Sequence, residues 1–301
     1  MNLLTTILIL SLPALANAAP PFRAAEGLFD LSDSKSLGLS TIAGEHKEIH
    51  RATEESGFRF SHHPGLIVFG NRLYRSWSNG HAHEDRPDQR VLYSSSADGK
   101  TWSAARILAK PPERVYGSCV AAGFHVNCGT LVAYYTLTHE YPTHNLHNKK
   151  NAVWAITSRD GVNWSRPTKV AAGFYIEAPR LLSNGRLFLG GEHAGEIWKS
   201  QQARMRLLYS DSANGIDGWK QAALNPSGAE PNGLKVFGYT EPCPFVCKDG
   251  TIVCPFRNQS GFLYASLSRD NGKRGVFHNR RTSPTRWLVL TWADCRTAGF
   301  T

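Results

Sequence analysis

A module of about fifty-five residues recurs four times along the 301-residue chain and constrains its fold more than any other feature. Each copy has a β-strand pattern, a tight turn, a second strand, a loop, a third strand and a Ser-x-Asp-Gly turn, which in most copies leads to a Trp. The copies fall in residues 63–102, 118–164, 178–219 and 242–272. A recurrence of this length with three or four strands per unit predicts a β-propeller in which each unit forms one blade.

The local sequence signals agree with an all-β fold. The predicted strands are short and rich in β-branched and aromatic residues, as in the segment 131–135, and no helical period of apolar residues intervenes. Asn184-Gly185 and Asp249-Gly250 separate first and second strands, and a Gly-Asn pair does so in the first copy. Such pairs are strong hairpin signals, because both central positions of the turn favour positive φ.

The first eighteen residues are typical of a secretory signal. An apolar run at 3–15 precedes an Ala-Asn-Ala cleavage site at 16–18. A membrane anchor is the alternative, but the run is shorter than the ~20 residues that span a bilayer. We therefore expect a secreted, extracellular protein without a membrane partner after signal cleavage, in which residues 19–56 form an N-terminal segment and outer strand. N-glycosylation sequons at Asn163 and Asn258 fit a eukaryotic secretory pathway.

The cysteines indicate structural roles. Export would permit disulfides, and an odd number of cysteines in the body of the chain leaves at least one unpaired there. Their spacings do not match a zinc site. The six are Cys119, Cys128, Cys243, Cys247, Cys254 and Cys295.

The net charge of +10 is unevenly distributed, because about half of it lies in residues 273–301. The remainder is too diffuse to indicate a nucleic-acid partner and is compatible with an acidic glycan. The tail 273–301 lacks the hairpin signals of the repeats. We interpret it as aberrant, the product of a frameshift, a retained intron or a mis-predicted exon; a genuine short tail is the alternative.

Blade geometry sorts the polar residues by sheet edge. In a propeller blade the innermost strand begins at the edge to which the loop between the second and third strands returns, and the first hairpin lies at the opposite edge. Eight of the twelve histidines fall at the first edge: His62, His63, His81, His83, His139, His144, His147 and His193. Other polar residues predicted there include Glu84, Asp85, Tyr116, Glu177, Arg180, Glu241 and Arg257. Because histidine can act as acid or base, this concentration predicts a functional site, although each single histidine has a structural alternative.

A metal site has only weak support in the sequence. His81-Ala82-His83 could chelate an ion, but no other His or carboxylate spacing completes a zinc set. We therefore predict no metal catalysis and no cofactor, and leave a structural ion open.

The Ser-x-Asp-Gly turns carry a family resemblance. Residues 96–102 and 158–164 resemble the Asp box of the sialidase superfamily, residues 268–272 are a partial copy, and residues 210–219 are a degenerate one. In the box, a short Asp side chain accepts hydrogen bonds from backbone N–H groups of the turn while Trp packs between strands. The resemblance implies a sialidase-like propeller of six or seven blades, of which about four are present here, in residues 57–272.

A second set of motifs resembles one branch of that superfamily. Sialidases carry an Arg-Ile-Pro motif where this chain has His62-His63-Pro64. That string, with the segments 77–80, 84–85 and 89–94, is similar to propeller enzymes that act on rhamnose–glucuronate linkages, the uronate lyases and their rhamnosidase relatives.

Uronate lyase chemistry, taken with this resemblance, implies roles for individual residues. Arg180 would neutralise the substrate carboxylate, His63 would act as base or acid, and Tyr135 or His83 would be its counterpart. Tyr135 could equally be strand packing. The substrate-binding candidates are His62, His81, Glu177, His193, Glu241 and Arg257.

Three functions remain open at this point. The first is cleavage of a rhamnose–glucuronate type linkage in an acidic polysaccharide, by β-elimination or hydrolysis. The second is exo-α-sialidase activity, and the third is glycan binding without catalysis. Fold alone cannot choose among them. In each case we expect a glycan partner and a monomer.

Overall fold

The computed structural model describes residues 27–30, 32–140, 148–194, 205–224, 241–257 and 264–278. The chain divides into two compact units, Met1–Ser40 and Thr41–Thr301. The described part of the first unit consists of turns, in which hydrogen bonds from Ser36 lower the pKa of Asp33 to about 2. The predicted signal 1–18 and the part of the tail beyond residue 278 lie outside the described residues.

All described strands lie in the second unit, and the described residues contain no helix. The first sheet has the order β1-β2-β3-β4, with strands Phe60–Phe69, Arg72–Gly80, Arg90–Ser96 and Arg106–Ala109. The second sheet has the order β5-β6-β7-β8, with strands Cys119–Asn127, Thr130–Leu137, Ala152–Ser158 and Thr168–Ala172. Each strand pairs antiparallel with the next along the chain, as in a propeller blade.

The third and fourth sheets repeat this meander. The third sheet contains β9 to β12, at Arg180–Leu181, Leu187–Glu192, Met205–Ser210 and Lys220–Gln221. The fourth contains β14 to β17, at Phe245–Val246, Ile252–Phe256, Tyr264–Ser268 and Arg274–His278. The short strand β13, Ala223–Leu224, pairs parallel with β17 and so links the end of the third sheet to the outer edge of the fourth.

The fourth sheet extends beyond the limit set by the sequence repeat. The hairpin and turn signals stop at Gly272, yet β17 pairs antiparallel with β16. Its residues therefore continue the blade rather than begin the tail. Pairing with β16 and β13, rather than any local turn signal, defines this strand.

An apolar core fills each space between successive sheets. Tyr74 and Val91 of the first sheet pack with Leu131 of the second. Between the second and third sheets, Val132 and Leu189 belong to one cluster. The cluster between the third and fourth sheets contains Phe188, Met205, Leu207, Ile252, Cys254 and Phe256. Burial of large apolar side chains on both faces of the middle sheets is the main stabilising term, at roughly 1.5–3 kcal/mol per side chain.

The sheets approach closely through small residues. A Cβ atom on Gly65 would lie 2.9 Å from the Cα of Gly123, and one on Gly123 would lie 3.2 Å from the Cβ of Ala178. Between the third and fourth sheets, a Cβ on Gly190 would lie 2.7 Å from the carbonyl oxygen of Pro242. Larger residues here would push the sheets apart.

The hairpins of the first two sheets are of the expected kind. In the first, Gly70 and Asn71 both have positive φ, at 53° and 61°. In the second, Cys128 and Gly129 have φ values of 45° and 69°. Two successive positive φ values match the turn whose twist suits a two-residue hairpin.

The hairpins of the third and fourth sheets differ from that expectation. There only Gly185 and Gly250 have positive φ, so the expectation of positive φ at Asn184 and Asp249 was wrong. The Asn184 Oδ1 atom accepts a hydrogen bond from the N–H two residues later at 3.2 Å, and Asp249 Oδ1 does so at 2.9 Å. A side-chain-capped turn followed by Gly replaces the two-residue turn.

The Asp-box turns have the geometry that their sequence predicts. Asp98 Oδ1 accepts hydrogen bonds from the N–H groups of Lys100 at 2.8 Å and Thr101 at 2.7 Å, and Ser96 Oγ accepts one from Gly99 N–H at 2.9 Å. Asp160, Ser158 and their turn repeat these contacts. In the degenerate third copy Asn214 Oδ1 takes the place of the Asp carboxylate.

The second, third and fourth of these turns each dock onto an aromatic residue of the preceding sheet. Tyr74 Oη donates to the carbonyl oxygen of Asp160 at 3.4 Å, and Tyr134 Oη donates to that of Gly215 at 2.9 Å. A Cβ on Gly272 would lie 3.0 Å from the ring of Phe188. The aromatic residue lies on the second strand of its sheet in every case, so the repeat also encodes how neighbouring sheets contact.

The two ends of the sheets can now be named. We call the edge that carries the hairpins and the Asp-box turns the turn edge. Arg186, which follows the third hairpin, bonds there to Asp211 Oδ1 and to the carbonyl oxygen of Asn271, both in Asp-box turns. We call the opposite edge, where each inner strand begins and each second strand ends, the entrance edge.

Candidate active site

The site residues predicted from the sequence and described by the structure lie at the entrance edge, with the exception of Tyr135. They fall near the beginning of an inner strand or next to the end of a second strand: His62, His63, His81, His83, Glu177, Arg180, His193, Glu241 and Arg257. His144 and His147 lie outside the described residues. His125 is not among the eight histidines predicted at this edge. Its Nε2 atom lies 2.8 Å from the carbonyl oxygen of Ala213, at the turn edge.

A β-bulge places two consecutive histidines side by side. His62 and His63 lie inside β1, rather than before the strand as the sequence suggested, and the pairing register shifts between His62 and Gly65. His63 has a φ of 52°, which is uncommon for a residue with a side chain. The two ring centroids lie only 4.0 Å apart. Without the bulge, neighbouring side chains of a strand would point to opposite faces.

Ser78 on β2 orients the His63 ring. His63 Nδ1 lies 3.2 Å from Ser78 Oγ, and this oxygen accepts a hydrogen bond from Ala121 N–H on β5 at 2.9 Å. Burial lowers the pKa of His63 to about 3, and the nearby His62 adds to the effect. His63 is therefore a neutral imidazole near pH 7, with Nδ1 engaged by Ser78.

Glu84 completes a small cluster with the two histidines. Its Oε2 atom lies 3.0 Å from His62 Nδ1. One potential ligand atom from each of His62, His63 and Glu84 lies within 4.8 Å of the others. Among the described residues, these three side chains form the one cluster of potential ligands that could hold a metal ion.

Asp85, next to this cluster, is held by the same loop. Its N–H donates to Gln89 Oε1 at 3.0 Å, and the buried Gln89 side chain donates to the carbonyl oxygen of Cys119. Burial, together with the nearby Glu84 and Glu192 carboxylates, raises the pKa of Asp85 to about 7, although a hydrogen bond with Gln89 opposes this rise. Glu192 ends β10, at the entrance edge of the third sheet.

Arg180 lies at the start of β9 and contacts two neighbours. Its Nη2 atom lies 2.6 Å from Glu177 Oε2 and 3.5 Å from Cys243 Sγ, which precedes the fourth sheet. On the fourth sheet itself, Arg257 Nη2 lies 3.2 Å from Glu241 Oε1. The entrance edge thus presents two arginines on adjacent sheets, each paired with a glutamate.

His193 belongs to the same edge of the third sheet. It follows β10 directly, and burial lowers its pKa, with the Arg206 cation adding to the effect. Arg206 in turn donates from Nη1 to the carbonyl oxygen of Ala172 at 2.6 Å. His193 is therefore positioned near the sheet end rather than fully exposed.

Three further predicted residues are not members of the His62 cluster. His81 Nδ1 contacts the carbonyl oxygen of Gly57 at 2.6 Å and its ring stacks on Phe58 at 4.2 Å. His83 is exposed in the loop after β2. Tyr135 is buried in the core between the first two sheets, where burial strongly raises its pKa. Its location matches the strand-packing alternative.

Sequence reasoning did not assign a role to Ser78, Glu84, Asp85 or Glu192. Glu84 and Asp85 were placed at the correct edge, but nothing in their spacing showed that one contacts His62 and that the other is buried. Ser78 entered only as part of the segment 77–80, which carries the family resemblance. The bulge at His63, which has no local turn signal, is what brings Ser78 and Glu84 to the same imidazole pair.

Comparison with known proteins supports the fold. A protein of unknown function from Dyadobacter fermentans superposes with a TM-score of 0.52 at 15% identity, over 73% of this chain and 68% of that chain. Trypanosoma rangeli sialidase in complex with sialic acid gives 0.53 at 16%, over 72% and 37%. NanB sialidase from Streptococcus pneumoniae gives 0.54 at 12%, over 80% and 55%. These likenesses show a shared sialidase-like propeller fold.

The chain therefore spans little more than a third of the Trypanosoma enzyme and about half of NanB. No curated protein matches it in sequence. The described residues include no helix with the length and apolar character needed to cross a membrane. A family model described as a BNR repeat-like domain matches residues 71–275. Because that match covers more than half of the chain, the protein belongs to the BNR repeat-like domain family.

Proposed function

We propose that this protein is a secreted, monomeric carbohydrate-active enzyme that binds an acidic glycan at the entrance edge and cleaves a rhamnose–glucuronate type linkage. The observation that carries the proposal is the bulged His62–His63 pair, whose His63 ring is oriented by Ser78. Arg180 and Arg257, on the corresponding edges of the third and fourth sheets, supply cations for a carboxylate.

The arrangement suits β-elimination. An arginine would pair with the uronate carboxylate and stabilise the negative charge that develops when the C5 proton leaves. His63 would accept that proton, the C4–O bond would break as the C4=C5 double bond forms, and an acid would protonate the departing oxygen. His83 and Asp85, which lie on one loop beside the cluster, are the candidates for the acid. The same groups could instead support hydrolysis.

Exo-sialidase activity is the second candidate. It is favoured by the structural similarity to two sialidases and by two arginines that could bind a sugar carboxylate. The first inner strand, however, presents His62-His63-Pro64 where sialidases have their first arginine motif. This difference makes us rank the sialidase below the uronate enzyme. A propeller that binds glycan without cleaving it is the third candidate.

A polysaccharide screen with the His63→Ala variant tests the proposal. Wild-type protein should release a product with the ultraviolet absorbance of an unsaturated uronate, or free rhamnose if it hydrolyses. Turnover should fall by about 10²–10⁴-fold in His63→Ala, the range for loss of a general acid or base. His46→Ala, which changes an exposed histidine outside the site, should keep wild-type turnover.

Three results would contradict this proposal. Release of sialic acid would identify the sialidase, and tight binding without any product would identify a lectin. Unchanged turnover in His63→Ala would remove His63 from the mechanism.

A further inference from the structure

We propose that His62, His63 and Glu84 form a binding site for a divalent transition-metal ion, with zinc as its reference ligand. The sequence directed attention to His81 and His83 as a chelating pair, but neither belongs to a cluster of three potential ligands among the described residues. The structure instead brings together two imidazoles and a carboxylate from β1 and the loop after β2. This donor set is one that zinc accepts in proteins, where two histidines and a glutamate leave a further position for water or substrate.

The distances require only a small adjustment. His62 Nδ1 and Glu84 Oε2 are already 3.0 Å apart, and the three donor atoms lie within 4.8 Å. A tetrahedral ion with bonds of about 2.0–2.1 Å holds its ligand atoms about 3.3 Å apart. His62 and Glu84 have side chains that are 46% and 59% exposed, so rotamer changes at these two residues can close the remaining gap.

The backbone supports a ligand-binding role. A non-glycine residue in the left-handed region, such as His63, is strained, and such residues cluster where ligands bind. The contact between the exposed side chains of His62 and Glu84 stabilises the fold only weakly. The bulge therefore does more than form a surface ion pair: it turns two consecutive imidazoles toward one position.

Ser78 supplies the second feature of a metal site. Histidines that bind a metal through one nitrogen usually have the other nitrogen hydrogen-bonded, which fixes the ring. His63 Nδ1 contacts Ser78 Oγ, and Ala121 N–H fixes that oxygen. Nε2 is then the nitrogen that would bind the ion.

A metal ion on His63 would compete with the proposed reaction, because it would occupy the ring nitrogen that must accept a proton. Zinc should therefore inhibit turnover and a chelator should restore it. This consequence rests on the proposed function, whereas metal binding by itself does not.

Calorimetric titration with zinc chloride tests the site directly. The protein should first be treated with a thiol-alkylating reagent, because Cys128 is an exposed thiol that could bind zinc. Wild-type protein should bind one zinc ion per chain at this site. His62→Ala and Glu84→Gln should each weaken binding by at least about tenfold. Both side chains are exposed, so these variants should fold normally, which a thermal melt would check.

His83→Ala is the matched control, since His83 lies on the same loop but outside the cluster. It should bind zinc as the wild-type protein does. Wild-type affinity in both His62→Ala and Glu84→Gln, or loss of binding in His83→Ala, would overturn the proposal. Zinc that binds with the predicted variant pattern but does not inhibit turnover would confirm the site and count against His63 as the catalytic base.

Discussion

The turn edge and the entrance edge of the same four sheets follow opposite rules. At the turn edge the first two Asp-box turns repeat one set of hydrogen bonds and the later two keep part of it. The second, third and fourth turns dock on Tyr74, Tyr134 and Phe188. At the entrance edge the described side chains vary between sheets: the first carries a His62–His63–Glu84 cluster, whereas the third and fourth each carry an Arg–Glu pair. The repeated edge stabilises the packing of one sheet on the next, which leaves the variable edge free to differ in chemistry.

The carboxyl groups of the two edges show the same contrast. Hydrogen bonds from backbone N–H groups hold the pKa of Asp98 and of Asp160 far below the ordinary value. Burial among other carboxylates instead raises the pKa of Asp85 to about 7. Turn-edge carboxylates therefore favour the folded state above pH 4 and lose that effect as the pH falls. Asp85 opposes folding as the pH rises toward 7, because its folded-state pKa lies above its unfolded value. A carboxyl group whose shifted pKa lowers the stability of the fold is typical of functional sites.

The strongest test of this comparison is a glycine at the turn edge. In Gly161→Ala the new Cβ would lie 2.1 Å from Tyr74 Oη, at a residue with a φ of 71°. We expect a loss of about 2–4 kcal/mol in the free energy of unfolding, from backbone strain and overpacking together. Urea unfolding measures this loss.

Gly129→Ala separates the two causes. Gly129 has a φ of 69°, close to that of Gly161, but a Cβ there would contact nothing within 4 Å. This variant should lose only about 1 kcal/mol, the strain alone. Equal losses in the two variants would show that Tyr74 does not dock on the turn.

A smaller effect is expected from one hydroxyl group in the same turn. Ser158 Oγ is buried and accepts a hydrogen bond from Gly161 N–H at 2.8 Å. Ser158→Ala should lower the free energy of unfolding by about 1–2 kcal/mol, because that N–H loses its partner.

At the entrance edge, Glu84→Gln should change stability by less than about 0.5 kcal/mol while it weakens zinc binding. A greater loss of stability in Glu84→Gln than in Ser158→Ala would contradict the view that the turn edge stabilises the fold and the entrance edge does not.

The sequence could predict the turn edge because its signals are local. A Ser, an Asp and a Gly within four residues are sufficient to form the hydrogen bonds of the turn, so the all-β propeller fold and four of its blades followed. Two features were exceptions. At Asn184 and Asp249 the same residues form a different turn, in which their side chains accept a backbone hydrogen bond. Strand β17 is defined by its pairing with β16 rather than by a motif.

The entrance edge could be predicted only in outline. The alternating directions of the strands predicted that His62, His63 and six other histidines share one end of the sheets, but the contact of His62 with His63 depends on the bulge at His63. That bulge arises from a mismatch between β1 and β2 that no short motif encodes. Tyr135 illustrates a different difficulty. A tyrosine can act in catalysis, but the position of Tyr135 in strand β6 places its side chain in the apolar core.

Nuclear magnetic resonance of the histidine side chains during titration with a rhamnose–glucuronate disaccharide tests the account most directly. The imidazole resonances of His62 and His63 should shift progressively with ligand, and that of His125 at the turn edge should not move. A shift at His125 with none at His62 and His63 would show that the glycan binds at the wrong end of the sheets and would contradict the account.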